Sequence, residues 1–502
     1  MYNQINLDVN EAKLKKAVAR AKERGLRIPT LRQMKAPDKE TPLDVKEGLK
    51  KTGLWDVDPL NLFRITWKNE PKLSGGLYGG VNFIEFPSSL TGVKARIFGL
   101  VGKWFPTGAH KVGASFGCLV PRLVTGQFDP TEDWAVWPST GNYCRGGAYN
   151  SQLLGCRSIA ILPEGMSRER FDWLKTVAGE IIATPGTESN VKEIYDKVHE
   201  LRATRNDVVI FNQFEEFGNY LWHYEVTAGA LEEVARAHMG PRDRVAAAVY
   251  TTGSAGTIAS GDRLKQLWPA MKIVASEALQ CPTLLCNGWG AHRIEGIGDK
   301  HVPWVHNVRN TDMITAIDDN DCMALIRLFN EPAGREYLKA AGVPSDLIGR
   351  LDLLGISGVA NLLSAIKAAK YYEMDEHDIV LTILTDSMEM YGSRLKELEA
   401  EEGRYDATRA AVDFCGRLAG QRTDHVLELT YPERLRVHNL KYYTWIEQQG
   451  RTSEGLHAQW YDAEAYWGEI QAMAPKVDAM IDQFNAAVGI VQPAQTVPPV
   501  KA

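Results

Sequence analysis

The sequence predicts an α/β fold organised around a largely parallel β-sheet. Three observations predict it: short apolar runs recur through the middle of the chain, segments of helical length separate several of them, and 502 residues are enough for two or three domains with sizeable cores. The apolar runs that we interpret as buried strands are residues 94–102, 134–137, 158–163, 180–186, 207–212, 244–251, 271–278 and 378–386. Sheets of this kind bind ligands beyond the carboxyl ends of their strands, so chemistry is expected at strand-to-helix turns.

The two ends of the chain are expected to be mainly helical. Residues 9–25 place apolar side chains among lysines and arginines with helical spacing, which is typical of a surface helix with one buried stripe. After about residue 405 the strand pattern fades, and 406–420 and 464–488 have helical character, with an aromatic-rich joint at 438–450. The last dozen residues contain several prolines and are expected to be disordered. The tryptophans of this region are expected to pack on the core or on a partner subunit: Trp445, Trp460 and Trp467.

The composition is that of an ordinary globular protein whose partners are small molecules or proteins. Hydrophobic residues make up 44% and charged residues 24%, and 57 basic against 63 acidic residues leave a net charge of -6, which argues against a nucleic-acid binder. The first residues lack a signal-peptide core, and no apolar run approaches the roughly 18 residues of a membrane helix, so we expect a cytoplasmic protein. The seven cysteines form no CxxC pair or zinc-like cluster, and we expect them to be reduced, mostly buried and free of metal.

The strand at 244–251 runs into a turn of small residues and then into an amphipathic helix. The turn consists of Gly253, Ser254, Ala255, Gly256 and Thr257. Small residues allow backbone N–H groups to converge, and the N-terminal end of the following helix adds positive potential, so the segment suits a phosphate group. A tight turn capped by Thr257 is an equally good interpretation of the segment taken alone.

A second turn follows the strand at 134–137 and contains Ser139, Thr140 and Asn142. Hydroxyl and amide groups beside exposed N–H groups suit a carboxylate, and Asn142 can also hydrogen-bond a phenolate-type oxygen. Gly155 is expected to end the helix that begins here. Taken alone, such a segment is more often a helix cap than a substrate site.

Two further residues, Lys111 and Ser387, indicate a function only when they are considered together with the two turns described above. Ser387 follows Asp386 at the end of a strand, where a simple helix N-cap is the better local interpretation. Lys111 is on local grounds more often an ordinary lysine at a helix start than a nucleophile, although a deprotonated amine condenses with a carbonyl. A reactive lysine, a phosphate turn and an oxygen clamp in one fold are together the binding requirements of pyridoxal phosphate.

The ordered set of motifs resembles the fold-type II pyridoxal-phosphate enzymes, which include tryptophan synthase β, cysteine synthase, cystathionine β-synthase, threonine synthase and the serine/threonine dehydratases. The resemblance covers roughly residues 76 to 400, and the set is more specific than any one motif. In chain order the motifs are TGAHK (107–111), STGN (139–142), AYNSQLLGCRSIAILPEGMSRER (148–170), HYEVTAG (223–229), TGSAGT (252–257), IEGIGDKHVP (294–303), GISGVANL (355–362) and LTDSMEMY (384–391).

The resemblance implies two open, parallel-type α/β sheets with the cofactor between them, plus helical N- and C-terminal extensions. The implied divisions are an N-terminal extension (1–75), a cofactor-binding core (76–404) and a helical C-terminal extension with a disordered tail (405–502). Within the core, a smaller mobile subdomain at about 112–225 faces a larger one at about 226–404, which also includes 76–111. A homodimer is expected by family analogy.

The resemblance also implies roles for single residues. Lys111 is implied to be the Schiff-base lysine and His110 a structural residue near the phosphate, which residues 253–257 hold. Asn142 is implied to contact the cofactor's ring oxygen and Ser387 its pyridine nitrogen. The implied substrate-binding residues are Ser139, Thr140, Gly141, Asn142, Tyr143 and Arg145.

This chain departs from the family pattern in two places. The phosphate turn has Ser254-Ala255 where relatives usually have more glycine, and the loop after Asn142 continues Tyr143-Cys144-Arg145 rather than with small residues. We hypothesise that Arg145 meets an anionic substrate group, against the commoner interpretation of a surface salt bridge.

The resemblance predicts an enzyme that performs β-replacement on serine or an activated serine through an enzyme-bound aminoacrylate, in the manner of cysteine synthase. A neutral Ser387 hydroxyl opposite the pyridine nitrogen favours loss of a β-leaving group. The first alternative is a β-eliminating ammonia-lyase or dehydratase that releases a keto acid and ammonia. Weaker alternatives are a threonine synthase-like reaction and a subunit that binds the cofactor without turnover.

Overall fold

The computed structural model describes residues 5–70, 76–139, 141–187, 190–298 and 300–489, which form two β-sheets covered by helices. The described strands are β1 (Phe83–Phe86), β2 (Arg96–Val101), β3 (Trp134–Pro138), β4 (Arg157–Pro163), β5 (Glu180–Thr184), β6 (Val208–Ile210), β7 (Arg244–Thr251), β8 (Lys272–Ala278), β9 (Met313–Ile317), β10 (Asp378–Leu384) and β11 (Val426–Glu428).

The described helices follow in the same chain order. They are α1 (Glu11–Arg24), α2 (Leu31–Lys35), α3 (Pro37–Glu40), α4 (Leu43–Leu49), α5 (Ser88–Thr91), α6 (Lys111–Val124), α7 (Asn142–Leu153), α8 (Arg168–Leu174), α9 (Val191–Thr204), α10 (Phe217–Trp222), α11 (Ala228–His238), α12 (Ile258–Leu267), α13 (Thr283–Cys286), α14 (Asp319–Asn330), α15 (Pro332–Ala340), α16 (Ser345–Ile348), α17 (Ile356–Tyr371), α18 (Gly392–Glu402), α19 (Ala407–Val412), α20 (Tyr431–Asn439), α21 (Ser453–Tyr461), α22 (Ala463–Gln471) and α23 (Ala474–Val488).

The larger sheet has the order β1-β2-β10-β7-β8-β9-β11, and the smaller has the order β5-β4-β3-β6. The smaller sheet is parallel throughout, as are the five inner strands of the larger one. The predicted α/β class is therefore confirmed, and so are all eight predicted strands. Parallel strands need long crossovers, and helices supply them on both sheets.

Three strands were not predicted. β1 and β11 pair antiparallel with β2 and β9 at the two edges of the larger sheet, and their four and three residues are too short to show a pattern. β9 is fully buried over only five residues, a length at which an apolar run does not distinguish strand from helix. The expectation that strands stop at about residue 405 is therefore wrong at β11.

The helical ends of the chain agree with the sequence in outline. The helix predicted at 9–25 is α1, and the helices predicted at 406–420 and 464–488 are each interrupted: the first becomes α19 and a π-helical turn, the second α22 and α23. The predicted joint is itself largely helical, since α20 is followed by a π-helical turn at Tyr442–Ile446. Residues 490–502, expected to be disordered, lie outside the described residues.

The C-terminal helices pack on the core as predicted. The side chains of Trp445, Trp460 and Trp467 are buried, and the amine of Lys441 lies between the rings of Trp304 and Trp467. Five of the seven cysteines are buried, and all seven are free thiols. None of the described helices combines the length and the apolar character that a membrane span requires.

Candidate active site

Lys111 is the first residue of α6, and its side chain contacts the small-residue turn that precedes α12. The preceding turn includes Gly108, whose φ of +72° favours glycine. The Lys111 amine donates a hydrogen bond of 2.9 Å to the Ser254 hydroxyl. The structure therefore brings together the two turns that the sequence singled out for a reactive amine and a phosphate.

Close backbone contact fixes the position of α6. A Cβ atom on Gly117 would lie 2.3 Å from the carbonyl oxygen of Gly218 in α10, and one on Gly113 would lie 2.1 Å from the Trp222 ring. The two helices therefore cross at a distance that only glycine allows. This crossing sets the start of α6, and with it Lys111, against the rest of the core.

The turn from Gly253 to Thr257 is a cradle of free backbone donors. The hydrogen bonds within the described chain include none from the backbone N–H groups of Gly253, Ser254, Ala255 or Thr257. Ala255 has a φ of +58°, so the turn keeps a left-handed residue where a glycine was expected. Thr257 occupies the N-cap position of α12, as the alternative interpretation of the turn expects, but its side chain makes no capping hydrogen bond.

Asn219 closes the far side of this turn. Its side-chain amide donates to the carbonyl oxygen of Gln213 at 2.9 Å and to the Ser254 hydroxyl at 3.1 Å. A Cβ atom on Gly256 would lie 2.2 Å from Asn219 Oδ1, so the turn has no room for a side chain at Gly256. The small size of the turn residues is thus required by packing as well as by ligand access.

The second predicted turn lies opposite the first, at the carboxyl end of β3. The Ser139 hydroxyl accepts a hydrogen bond of 3.0 Å from the Gly141 backbone N–H and one of 3.5 Å from the Gln213 side chain. Gly141 has a φ of +148°, and Arg170 fills the space in which its side chain would lie. Thr140 lies outside the described residues.

Asn142 opens α7 and is held by charged groups on both sides. Its Nδ2 donates to Asp386 Oδ2 at 2.7 Å, and its Oδ1 accepts from Arg145 Nη1 at 3.3 Å. Asp386 also accepts from the Tyr391 hydroxyl at 2.8 Å and faces Arg170 at 3.8 Å. Burial raises the pKa of Asp386, and the Arg170 charge and the Asn142 hydrogen bond oppose that shift.

His110 contributes no positive charge next to Lys111. Its Nε2 lies 3.3 Å from the Thr385 hydroxyl, and its ring stands edge-on to His223 with centroids 5.1 Å apart. Burial, followed by the nearby Lys111 amine, lowers the pKa of His110 well below its usual value, and burial does the same for His223. Both imidazoles are therefore neutral at physiological pH.

Two adjoining cavities lie where these turns meet, at the carboxyl ends of strands of both sheets. Both are lined by Lys111, Gly253, Gly296, Ile297 and Thr385. The first is also lined by Ser139, Asn142, Tyr143, Gln213, Phe214 and Ser254, and the second by His110, Tyr250, Thr251, Ala255, Thr257, Asn361 and Ile383. Most of the predicted site residues are thus brought together around one space.

Four of the predicted residues that the structure describes line neither cavity: Gly141, Arg145, Gly256 and Ser387. Ser387 is buried but lines neither cavity, and Thr385, two residues earlier on the same strand end, lines both. Arg145 also lines neither cavity. It is 2% exposed, so the surface salt bridge interpretation is wrong: its guanidinium donates to the Thr107 carbonyl at 2.9 Å and stacks 4.5 Å from the Trp173 ring.

Several residues of the site were not found from the sequence. Gln213 and Asn219 belong to no motif, and only their place ten and four residues before HYEVTAG hints at them. Gly296 and Ile297 belong to IEGIGDKHVP, which was identified as an active-site stretch without a role for single residues. Thr385 stood beside Ser387 in LTDSMEMY, where the sequence alone does not tell which side chain of a strand end faces the ligand.

The described residues fit pyridoxal phosphate. Free N–H groups converge at the turn before α12, an amine stands at its edge, and the buried Asn219 Oδ1 and His110 Nδ1 find no partner among the described residues. Neither Gly253 nor Gly256 has room for a side chain, because an added Cβ atom would lie 2.9 Å from the Gly296 carbonyl oxygen or 2.2 Å from Asn219 Oδ1. A phosphate, an aldehyde and ring atoms match these groups in kind.

Comparison with known proteins agrees with this fit. A family model described as pyridoxal-phosphate dependent enzyme matches residues 104–341. Residues 104–341 of the chain are therefore similar to the pyridoxal-phosphate-dependent enzymes.

Among curated proteins, the chain is similar to cysteine synthases. A probable cysteine synthase of Bacillus subtilis (strain 168) is 28% identical over 287 residues, which are 57% of this chain and 85% of the relative. A cysteine synthase of Staphylococcus aureus (strain N315) is 29% identical over 316 residues, which are 63% of this chain and 93% of the relative.

Among solved structures, the fold is similar to O-acetylserine sulfhydrylase isoform 3 from Entamoeba histolytica, with a TM-score of 0.54, 23% identity, and coverage of 68% of this chain and 94% of that one. It is also similar to an O-acetylserine-dependent cystathionine β-synthase from Helicobacter pylori, with a TM-score of 0.52, 23% identity, and coverage of 62% and 94%. These likenesses show the two-sheet fold.

Proposed function

We propose that the protein catalyses β-replacement on serine or an activated serine-type amino acid. The observation that carries this proposal is the chemistry at the end of β10. Thr385 presents a neutral hydroxyl to the cavities, whereas the Asp386 carboxylate is held away from them by Asn142, Tyr391 and Arg170. A neutral partner does not force protonation of a pyridine nitrogen, which suits departure of a β-substituent.

Several groups of the site have a role in this reaction. Bound pyridoxal phosphate supplies the electron sink at the substrate's α-carbon. Residues 253–257 would hold its phosphate through their backbone N–H groups, and the Lys111 amine would take the substrate's α-proton as a general base. Ser139 and the N–H groups of its turn bind the substrate carboxylate. The neutral His110 and His223 leave Lys111 free of an adjacent imidazolium.

The curated relatives support replacement rather than simple elimination. They are a probable cysteine synthase and a cysteine synthase, and the alignments span 85% and 93% of their lengths, so most of each relative has a counterpart here. The structural neighbours include two proteins whose names contain O-acetylserine. We therefore place an activated serine before serine itself among the candidate substrates.

The test follows the bound cofactor's absorbance in the purified full-length protein. Serine and O-acetylserine are added alone and then with sulfide, a thiol or indole. Replacement predicts an absorbance change on adding the amino acid that reverses when the nucleophile is consumed, together with formation of the β-substituted product. Steady release of keto acid and ammonia without a nucleophile establishes elimination instead.

Lys111→Ala is the control for this experiment. It is expected to retain the phosphate cradle but to lose the native cofactor band and turnover. A wild-type protein that neither contains nor takes up pyridoxal phosphate would overturn the assignment of the site.

We also propose the division of the chain that the resemblance implies: an extension at 1–75, a core at 76–404 with its mobile subdomain at about 112–225, and a C-terminal extension at 405–502. The smaller sheet, β3 to β6, lies within the proposed mobile part. Limited proteolysis with and without an amino-acid substrate tests whether that part alone changes its protection.

We propose further that the protein is a cytoplasmic homodimer. Free thiols at all seven cysteines suit a reducing compartment, and the dimer rests on family analogy. Light scattering after size exclusion measures the assembly directly.

A further inference from the structure

We propose that Arg145 and Asp386 are positioning residues that fix the orientation of the Asn142 side-chain amide, so that it offers an N–H group to the cavity. The inference rests on the proposed function, because it deepens the role of Asn142 as the contact of the cofactor's ring oxygen. It also gives a role to Arg145, the residue at which this chain departs from the family pattern.

Arg145 selects the oxygen end of the Asn142 amide. A guanidinium carries only hydrogen-bond donors and stays protonated, so the amide atom that faces it has to be an acceptor. Arg145 Nη1 lies 3.3 Å from the Asn142 atom assigned as Oδ1. Because the two amide ends look alike in shape, it is this partner that decides which end is oxygen.

Asp386 selects the nitrogen end of the same amide. Asp386 Oδ2 accepts from the Tyr391 hydroxyl and faces Arg170, so it is an acceptor and selects the NH₂ end of the amide. Asn142 Nδ2 lies 2.7 Å from this oxygen. The two partners thus impose the same orientation from opposite sides. One of the two N–H bonds of Asn142 is used by Asp386, and Asn142 lines the first cavity, where the second N–H is the group left to offer.

Arg145 is itself rigidly held. Its other terminal nitrogen donates to the Thr107 carbonyl at 2.9 Å, and its plane packs 4.5 Å from the Trp173 ring. Burial, and next the Arg170 charge, lower the pKa of Arg145 to about 10, which still leaves it charged at neutral pH. The donor that faces Asn142 is therefore permanent and has little freedom to turn away.

Asp386 is also held in position by several contacts. The Tyr391 hydroxyl donates to it at 2.8 Å, and its own backbone carbonyl accepts from the Gly355 N–H at 3.0 Å. A Cβ atom on Gly355 would lie 1.9 Å from Asp386 Oδ1, so the carboxylate fills the space beside that glycine. The hydrogen bond between Asn142 and Asp386 therefore joins the start of α7, which follows strand β3 of the smaller sheet, to the end of β10 in the larger sheet.

A double-mutant cycle without any substrate tests the proposal. Arg145→Met is made in the wild type and in Asn142→Ala, and the dissociation constant and absorption maximum of bound pyridoxal phosphate are measured for all four proteins. We expect Arg145→Met to weaken cofactor binding about tenfold and to shift the absorption maximum in the wild type, in line with loss of one charge-assisted hydrogen bond. In the Asn142→Ala background it should change neither quantity.

Equal effects in both backgrounds would overturn the proposal, because Arg145 would then act through general stability. Arg145→Lys keeps a cation that only donates hydrogen bonds, and it takes the place of Arg145→Met if that variant does not fold. Its absorption maximum should lie closer to the wild-type value than that of any neutral replacement. Arg327→Met is the matched control, since Arg327 is equally buried but pairs with Glu331 and Glu402 away from the cavities. It should lower thermal stability and leave the cofactor spectrum unchanged.

The cycle also separates this proposal from the proposed reaction. Cofactor affinity and spectrum are read before any amino acid is added, so a protein that eliminates rather than replaces still reports on Arg145. Failure to bind the cofactor at all, by contrast, would remove the site assignment itself.

Discussion

At the scale of single residues, the site depends on which partner each polar atom already has. The Lys111 amine donates to the neutral Ser254 hydroxyl, and the two imidazoles near it are neutral. Around Asn142, a guanidinium and a carboxyl group hold the two ends of its amide.

The end of β10 allows a sharp comparison of two hydroxyls. We expect Thr385→Val, which keeps the shape and removes the hydroxyl, to shift the cofactor's absorbance and to lower kcat/KM about tenfold, as loss of one hydrogen bond at the reacting group predicts. Ser387→Ala is the matched comparison and is expected to change both quantities less. If Ser387→Ala has the larger effect, the contact of the pyridine ring is Ser387 and not Thr385.

The residues that the sequence identified share one property: they stand in turns between a strand and a helix, where local pattern and expected chemistry coincide. Lys111, Asn142 and Ser254 are of this kind. Gln213, Asn219 and Thr385 are not, because their importance comes from contacts with segments far away in the chain. The buried position of Arg145 was equally invisible, since an arginine three residues into a helix has the same local pattern whether it faces solvent or the Trp173 ring.

At the scale of elements, the contact of α6 with α10 places the catalytic lysine. Gly117 and Gly218 meet backbone to backbone, and the glycine at position 113 makes room for a tryptophan ring. Helices that approach so closely transmit any change of side-chain volume to both of their ends. The first turn of α6, which carries Lys111, is one of those ends.

We expect Gly117→Ala to lower the free energy of unfolding by about 1–3 kcal/mol, because the added methyl group overpacks the crossing. Cofactor affinity should fall as well, since the start of α6 has to shift. Urea denaturation and cofactor titration measure the two effects. Gly468→Ala in α22 is the control: its added Cβ meets nothing within 4 Å, and stability should stay equal or rise by up to about 1 kcal/mol.

Strands and helices could be predicted from the sequence where an apolar run was long enough to show its periodicity. The eight central strands were of this kind. The edge strands β1 and β11 were too short, and each depends on its antiparallel neighbour for its existence. The aromatic joint near residue 445 was taken for a connection because its helical turn is a π-helix, whose wider spacing hides the usual 3.6-residue pattern.

At the scale of the whole molecule, the two ends of the chain are fastened to each other over the core. The Asn485 side chain of α23 accepts a hydrogen bond from the Ile28 N–H at 3.0 Å and donates one to the Ile28 carbonyl at 2.8 Å. Asp478 of the same helix accepts from the N–H groups of Leu31 and Arg32 at 2.6 and 3.2 Å. We call this set of contacts the terminal clasp.

We expect Asn485→Ala to cost about 2–3 kcal/mol of unfolding free energy, because two hydrogen bonds are lost and a buried N–H and C=O are left without partners. Chemical denaturation of the full chain measures it. Gln483→Ala, an exposed position two residues earlier on the same helix, should change stability by less than about 0.5 kcal/mol. Equal losses from the two variants would show that the clasp contributes nothing beyond helix propensity.

The terminal clasp also has a consequence for how the chain is made. Ile28 and Asn485 are 457 positions apart, so the ribosome completes the first partner long before the second exists. Throughout that interval the apolar face of α1 and the surface of α6 that α23 later covers stay open to solvent. During translation the folding enzyme therefore carries an uncovered apolar seam until α23 has been synthesised and packs on α6 and α1.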